Sequence, residues 1–183
     1  MSKVYVFLAD GFEEIEGLTV VDLLRRAGIE TITVSVMGRE KIIGSHRIPV
    51  TADTLIGKVH PTKEDMLVLP GGMPGTLHLG DCEGLKGFLM KAAEENGRIA
   101  AICAAPTVLG KLGLLNGRKA ICYPGMEDGL AGAEVTVEPV VTDGNITTSR
   151  GLGTAIPFAL RLIEALSGKE TADRIAESVV YQA

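Results

Sequence analysis

Residues 98–109 read R-I-A-A-I-C-A-A-P-T-V-L, and the change of pattern inside that stretch decides the fold. After Arg98 the residues up to Ile102 are small or β-branched, as a strand buried on both faces requires. Pro106 has no N–H and a fixed φ, so within a helix it fits the first turn. Cys103 therefore stands between a strand and a helix, at the C-terminal edge of a parallel sheet, where open α/β folds bind ligands. A helix N-terminus at that point favours thiolate over thiol. The stretch implies a nucleophilic or redox-active cysteine.

Similar apolar, β-branched runs recur at 3–8, 31–36, 65–69 and 119–121. Between them lie segments with helical spacing. Residues 14–27 carry Ile15, Leu18, Val20, Val21, Leu23 and Leu24 and stop at Gly28; 85–95 carry Leu85, Phe88, Leu89 and Ala92; 106–115 stop at Asn116-Gly117. This alternation predicts one α/β domain over 1–183 with a mostly parallel sheet. Residues 41–51 interrupt it as a hairpin or excursion. Residues 134–148 read as two strands around Asp143-Gly144-Asn145, and 155–166 and 169–179 as closing helices.

A chain of 183 residues is long enough to bury roughly 70% of its unfolded surface. No apolar run reaches the ~18 residues of a membrane span. No basic segment with a cleavage site opens the chain, so a cytoplasmic location is expected. A net charge of −5 with scattered Lys and Arg excludes a nucleic-acid footprint, and 4% aromatics without Trp exclude base-stacking platforms. Cys82, Cys103 and Cys122 form no CxxC and no Cys/His cluster. Neither a metal site nor a disulfide framework is expected, and reduced thiols follow.

Three strand ends carry unusual sequence: Asp10-Gly11-Phe12-Glu13-Glu14-Ile15-Glu16, Pro70-Gly71-Gly72-Met73-Pro74-Gly75, and Cys103 itself. In a parallel sheet they share one edge. Glu13 and Glu14 read as first-turn carboxylates suited to the helix dipole. Glu16 falls on or beside the packing face; it is either a solvated helix residue or a carboxylate facing the thiol as hydrogen-bond donor or general base. Gly71-Gly72 is either a plain turn or, with the N–H of Ala104, an oxyanion site beside Cys103. Neither GxGxxG nor GxxxxGK[ST] occurs, which disfavours nucleotides. His46, His60 and His78 read as surface residues in loops. Ser149-Arg150-Gly151 reads either as a lining of the same edge or as a loop, with Thr154 capping the next helix. Cys82 and Cys122 read as packing residues.

Taken together, G-F-E-E-I-E, L-P-G-G, A-A-I-C-A-A-P and T-S-R-G-L-G-T-A resemble the ThiJ/PfpI superfamily, and within it the branch of the Parkinsonism-associated deglycase and its bacterial relatives. The resemblance spans essentially the whole chain. It implies a flavodoxin-like three-layer α/β sandwich and a homodimer. It also implies Cys103 as nucleophile, Glu16 as the carboxylate bonded to its sulfur, and Gly72 and Ala104 as oxyanion donors. Three positions depart from the pattern. Ala104 stands where the peptidase branch has histidine, so the base for a peptidase is missing. Tyr123 stands before Pro124 where other members carry histidine, leaving a phenol to orient substrate. His46 falls where some relatives place an arginine near the neighbouring subunit's pocket.

The activity so implied is cofactor-free conversion of small aldehydes, such as methylglyoxal to lactate, or repair of glycated side chains. A redox-sensing or chaperone-like role through oxidation of Cys103 is the alternative. Thiamine biosynthesis has no residue in its support.

Overall fold

The computed structural model describes residues 2–182. In chain order the elements are β1 (Val4–Leu8), α1 (Glu14–Arg26), β2 (Thr31–Ser35), β3 (Lys41–Ile43), β4 (Pro49–Thr51), β5 (Thr54–Leu55), β6 (Met66–Leu69), α2 (Gly75–Asp81), α3 (Glu83–Glu94), β7 (Arg98–Ile102), α4 (Pro106–Lys111), β8 (Lys119–Ala120), β9 (Glu134–Val135), β10 (Val140–Asp143), β11 (Ile146–Ser149), α5 (Ala155–Ser167) and α6 (Lys169–Ser178).

Seven strands form the central sheet in the order β10-β11-β7-β6-β1-β2-β5. All neighbours are parallel except β10 and β11, which pair antiparallel across Asp143-Gly144-Asn145. Because side chains alternate along a strand, the inner strands feed two cores. Val4, Val6 and Leu8 of β1 pack with α1, α5 and α6 on one face. Tyr5 and Phe7 pack with α2, α3 and α4 on the other. Both faces are covered, which is why these strands read as continuous apolar runs. This is the three-layer α/β sandwich with a mostly parallel sheet that the sequence predicts.

Several expectations are corrected. The run at 119–121 is not a strand of the central sheet: Lys119–Ala120 pairs with Glu134–Val135 in a separate ribbon. The segment 106–115 yields a helix only as far as Lys111, because Gly113 takes a left-handed φ of 73°. Helix α2 and the edge strand β5 carry too short an apolar pattern to be foreseen. The excursion at 41–51 is the hairpin β3–β4. Among the described residues no helix is long and apolar enough to cross a membrane.

The strand order reverses between β1 and β6, so the loops after these strands diverge and leave a crevice at their C-terminal ends. The loop after β7 adjoins it. Glu16, Gly71, Gly72 and Cys103 enter the structure there.

Candidate active site

Cys103 leaves β7 with φ at 65°, a left-handed conformation that costs a non-glycine residue about 1–3 kcal/mol. Two hydrogen bonds hold it: its N–H donates to the Ser149 carbonyl at 3.0 Å, and its carbonyl accepts from the Tyr123 N–H at 2.8 Å. Chain turned this sharply from strand to helix lifts a nucleophile above the sheet edge. Pro106 then opens α4 at its first position.

Glu16 is 1% exposed. Its Oε2 accepts the Gly71 N–H at 2.9 Å; the Leu152 N–H and the Cys103 thiol also donate to it. Burial pushes the Glu16 carboxyl up to about 7, against the opposing pull of these donors. Burial and then the neighbouring Glu16 charge push the Cys103 thiol up to about 12, opposed by the N–H groups of Gly72 and Ala104. The helix N-terminus that favours a thiolate is opposed here by burial and by the Glu16 carboxylate beside the sulfur, and is helped by the two backbone donors. Helix α4 itself has only six residues.

Glycine at 71 is a steric requirement: a Cβ there would lie 2.5 Å from Cys103 Cβ and 2.6 Å from Glu16 Oε2. Gly72 has φ of 90°, and a Cβ there would strike the Glu13 backbone. The two glycines divide the work, a correction to their pairing as anion donors. Gly71 serves the carboxylate, whereas Gly72 and Ala104 serve the sulfur. A Cβ on Gly151 would lie 3.9 Å from Cys103 Sγ, 3.8 Å from Glu16 Oε1 and 3.4 Å from Tyr123 Cδ2. The 149–151 segment therefore does line this edge, and the half-exposed Tyr123 ring stands at its mouth.

Other expectations are revised. Glu14 is 2% exposed and is no solvated dipole partner. Its Oε1 accepts the His46 N–H at 2.8 Å, and its Oε2 lies 3.0 Å from His46 Nδ1 and 3.2 Å from Ser45 Oγ. These bonds clasp the β3–β4 turn onto α1; Glu14's own N–H at the helix start, followed by the His46 and Ile48 bonds, holds the Glu14 carboxyl below its ordinary range despite burial. The spacing of polar residues at 44–48 gives no sign of this partner, since the bonds cross more than thirty positions of chain. Glu13, Glu14 and His46 form a group whose ligand-type atoms lie within 4.8 Å of one another. With Glu14 Oε1 taken by the His46 N–H and both Glu14 Oε2 and His46 Nδ1 engaged, it works as a hydrogen-bonded clasp. His46 is otherwise exposed and bonded to neither Cys103 nor Glu16. His78 sits in α2, not a loop, with Nδ1 2.9 Å from the Asp10 carbonyl; His60 is exposed. Thr154 does not cap α5: its hydroxyl turns back to Gly151 and Ser149. Cys122 is fully buried and Cys82 half-buried.

The comparisons agree with this geometry. Residues 2–165 match the model of the DJ-1/PfpI family. The chain is 42% identical to Protein dj-1beta of Drosophila melanogaster, over 98% of each chain. It is 34% identical to the Parkinson disease protein 7 homolog of Danio rerio, over 98% of this chain and 97% of that one. A solved structure of oxidized Toxoplasma gondii DJ-1 superposes over the whole of both chains with a TM-score of 0.95 and 39% identity. A family match over most of the length, joined to a cysteine elbow with its buried carboxylate, places this chain in the DJ-1/PfpI family.

Proposed function

We propose that the protein is a cofactor-free cysteine enzyme that converts methylglyoxal and similar small aldehydes to hydroxy acids. The observation that carries this is the geometry: a cysteine held at a strand–helix elbow with φ of 65° and, beside it, a carboxyl that is 1% exposed, the two so close that a Cβ on Gly71 would touch both. As Sγ adds to the aldehyde carbon, Glu16 accepts the thiol proton and passes it to the new hemithioacetal oxygen. The N–H groups of Gly72 and Ala104 hold that oxygen while it carries charge. Glu16 then takes the proton from the former aldehyde carbon and returns it to the adjacent carbon while the hemithioacetal hydroxyl proton passes to the ketone oxygen, giving a 2-hydroxy thioester. Water hydrolyses the thioester to lactate and restores the thiol. The first carbon is oxidised and the second reduced, so no external electron carrier takes part. Deglycation of glyoxal-modified Cys, Lys and Arg side chains uses the same groups.

Lactate formation from methylglyoxal by wild type, Cys103→Ser and Glu16→Gln tests this. Activity in wild type alone is expected; no lactate from wild type, beside an active relative, refutes it. A homodimer is part of the same proposal: Ile15 and Ile48, each half exposed, flank the Glu14 clasp and offer apolar surface to a second copy. In that dimer His46 would face the partner's pocket. Sedimentation of the purified chain as a monomer refutes both.

Redox sensing by Cys103 is the second reading, favoured by the two N–H groups aimed at Sγ, which suit a sulfinate oxygen as well as an alkoxide. The similar Toxoplasma structure is of an oxidized form. Peptide mass spectrometry after mild peroxide decides it. Cys103 is expected to oxidise before Cys82 and Cys122, and the reverse order refutes it.

A further inference from the structure

Large exposed apolar side chains are few, and three of them belong to the segments that hold the reacting atoms. Met73, Tyr123 and Leu152 are 49%, 51% and 51% exposed. Met73 follows Gly72, whose N–H points at the Cys103 sulfur, but its side chain lines a separate cavity with Leu77 of α2 and Val108 of α4. Leu152 donates its own N–H to Glu16. Tyr123 donates its N–H to the Cys103 carbonyl, and its ring lies 3.4 Å from where a Gly151 Cβ would stand, one van der Waals layer from the sulfur. Scattered apolar residues on a surface need no explanation, but Tyr123 lies beside Gly151, where a Cβ would lie 3.9 Å from Cys103 Sγ, and Leu152 follows it in the chain. Two such residues at one reactive mouth form a recognition surface. A methyl group is too small to cover them, whereas a phenyl ring or a branched chain is not.

We propose that Tyr123 and Leu152 are specificity-determining residues, and that the site prefers 2-oxoaldehydes bearing an aryl or larger apolar substituent over methylglyoxal. This rests on the carbonyl chemistry proposed above. With phenylglyoxal the steps are the same. The aldehyde carbon loses its hydrogen as a proton and ends as a carboxylate, the ketone carbon gains one and ends as an alcohol, water supplies the oxygen, and mandelate leaves. Covering about 50 Å² of ring against this rim favours phenylglyoxal by roughly tenfold.

Two measurements test the rim on the full chain: kcat/KM for phenylglyoxal against methylglyoxal, and the rate of Cys103 labelling by N-benzyl iodoacetamide against iodoacetamide. The labelling rates are normalised to free glutathione and followed by peptide mass spectrometry. Both ratios are expected near ten in wild type and several-fold lower in Leu152→Ser and Tyr123→Ser, whose side chains are exposed. Labelling needs no turnover, so it separates the two proposals. Failure of wild type to turn over either aldehyde overturns the carbonyl activity. A labelling ratio at or below one, or one unchanged in Leu152→Ser, overturns the rim.

Discussion

Replacing Glu16 by glutamine removes a buried charge from beside Cys103 while keeping the size of the side chain and an oxygen that can accept the Gly71 N–H. In wild type the thiol is held at about 12 by burial and by the Glu16 charge, against two backbone donors. A unit charge at about 4 Å through an effective dielectric of ~20 contributes about 4 kcal/mol, equivalent to about three pH units. Burial, the larger cause of the upward shift, remains in the variant, so Glu16→Gln is expected to lower the Cys103 titration by at most about three pH units. The assay is the rate of alkylation of the Cys103 peptide by iodoacetamide across pH 5–11 (roughly the span over which a thiol titrates from either side of its free value). At pH 9 the variant should label faster than wild type, yet form no lactate, because glutamine cannot accept the thiol proton. A midpoint that rises in Glu16→Gln refutes the reasoning. That result would place the charge on sulfur, with a protonated Glu16 donating to a thiolate.

Lactate formation by wild type should increase with pH through about 7, as Glu16 ionises; a pH-independent rate between 5 and 9, roughly two units either side, contradicts Glu16 as base. Stability follows the opposite course. The folded Glu16 carboxyl lies above its ordinary 4.5, so its protonated form stabilises the fold below that value, and the stabilisation is lost as pH rises toward 7. Relative to Glu16→Gln, wild type should lose about 3 kcal/mol over that interval, measured by urea unfolding. Glu14→Ala removes the acceptor for the His46 N–H and should cost about 2–3 kcal/mol. Its amide exchange should quicken at 45–48. Because the Glu14 carboxyl is held low, that cost is present above its ordinary value and shrinks as acid protonates wild type. Gly71→Ala should abolish lactate formation and destabilise by about 1–3 kcal/mol through overpacking. Gly153→Ala, which meets nothing within 4 Å, should do neither.

Much of the layering was legible because strands covered on both faces must be apolar at every position. Val4–Leu8, Met66–Leu69 and residues 99–102 carry that pattern, and Pro106 fixes where the last of them gives way to helix. Lys119–Ala120 misled because a short apolar run looks the same in a central sheet and in a separate ribbon; only its pairing with Glu134–Val135 separates the two. Glu14 misled because its position in α1 suits a dipole partner, while its burial comes from a hairpin thirty residues away.

Within the candidate site, chain order gave the residue types and folding gave their states. Sequence alone determined that a cysteine ends a buried strand, that glycines follow another, and that a carboxylate lies two residues into a helix after a third. These are properties of local pattern, set by propensity and by the periods of strand and helix. Only the tertiary structure decided that the buried Glu16 carboxyl lies beside Cys103, that Gly71 serves the carboxylate while Gly72 serves the sulfur, and that Gly151 brings Tyr123 close to both. Protonation and donor direction depend on burial and on charges brought together from distant positions, and those exist only once β1, β6 and β7 lie side by side.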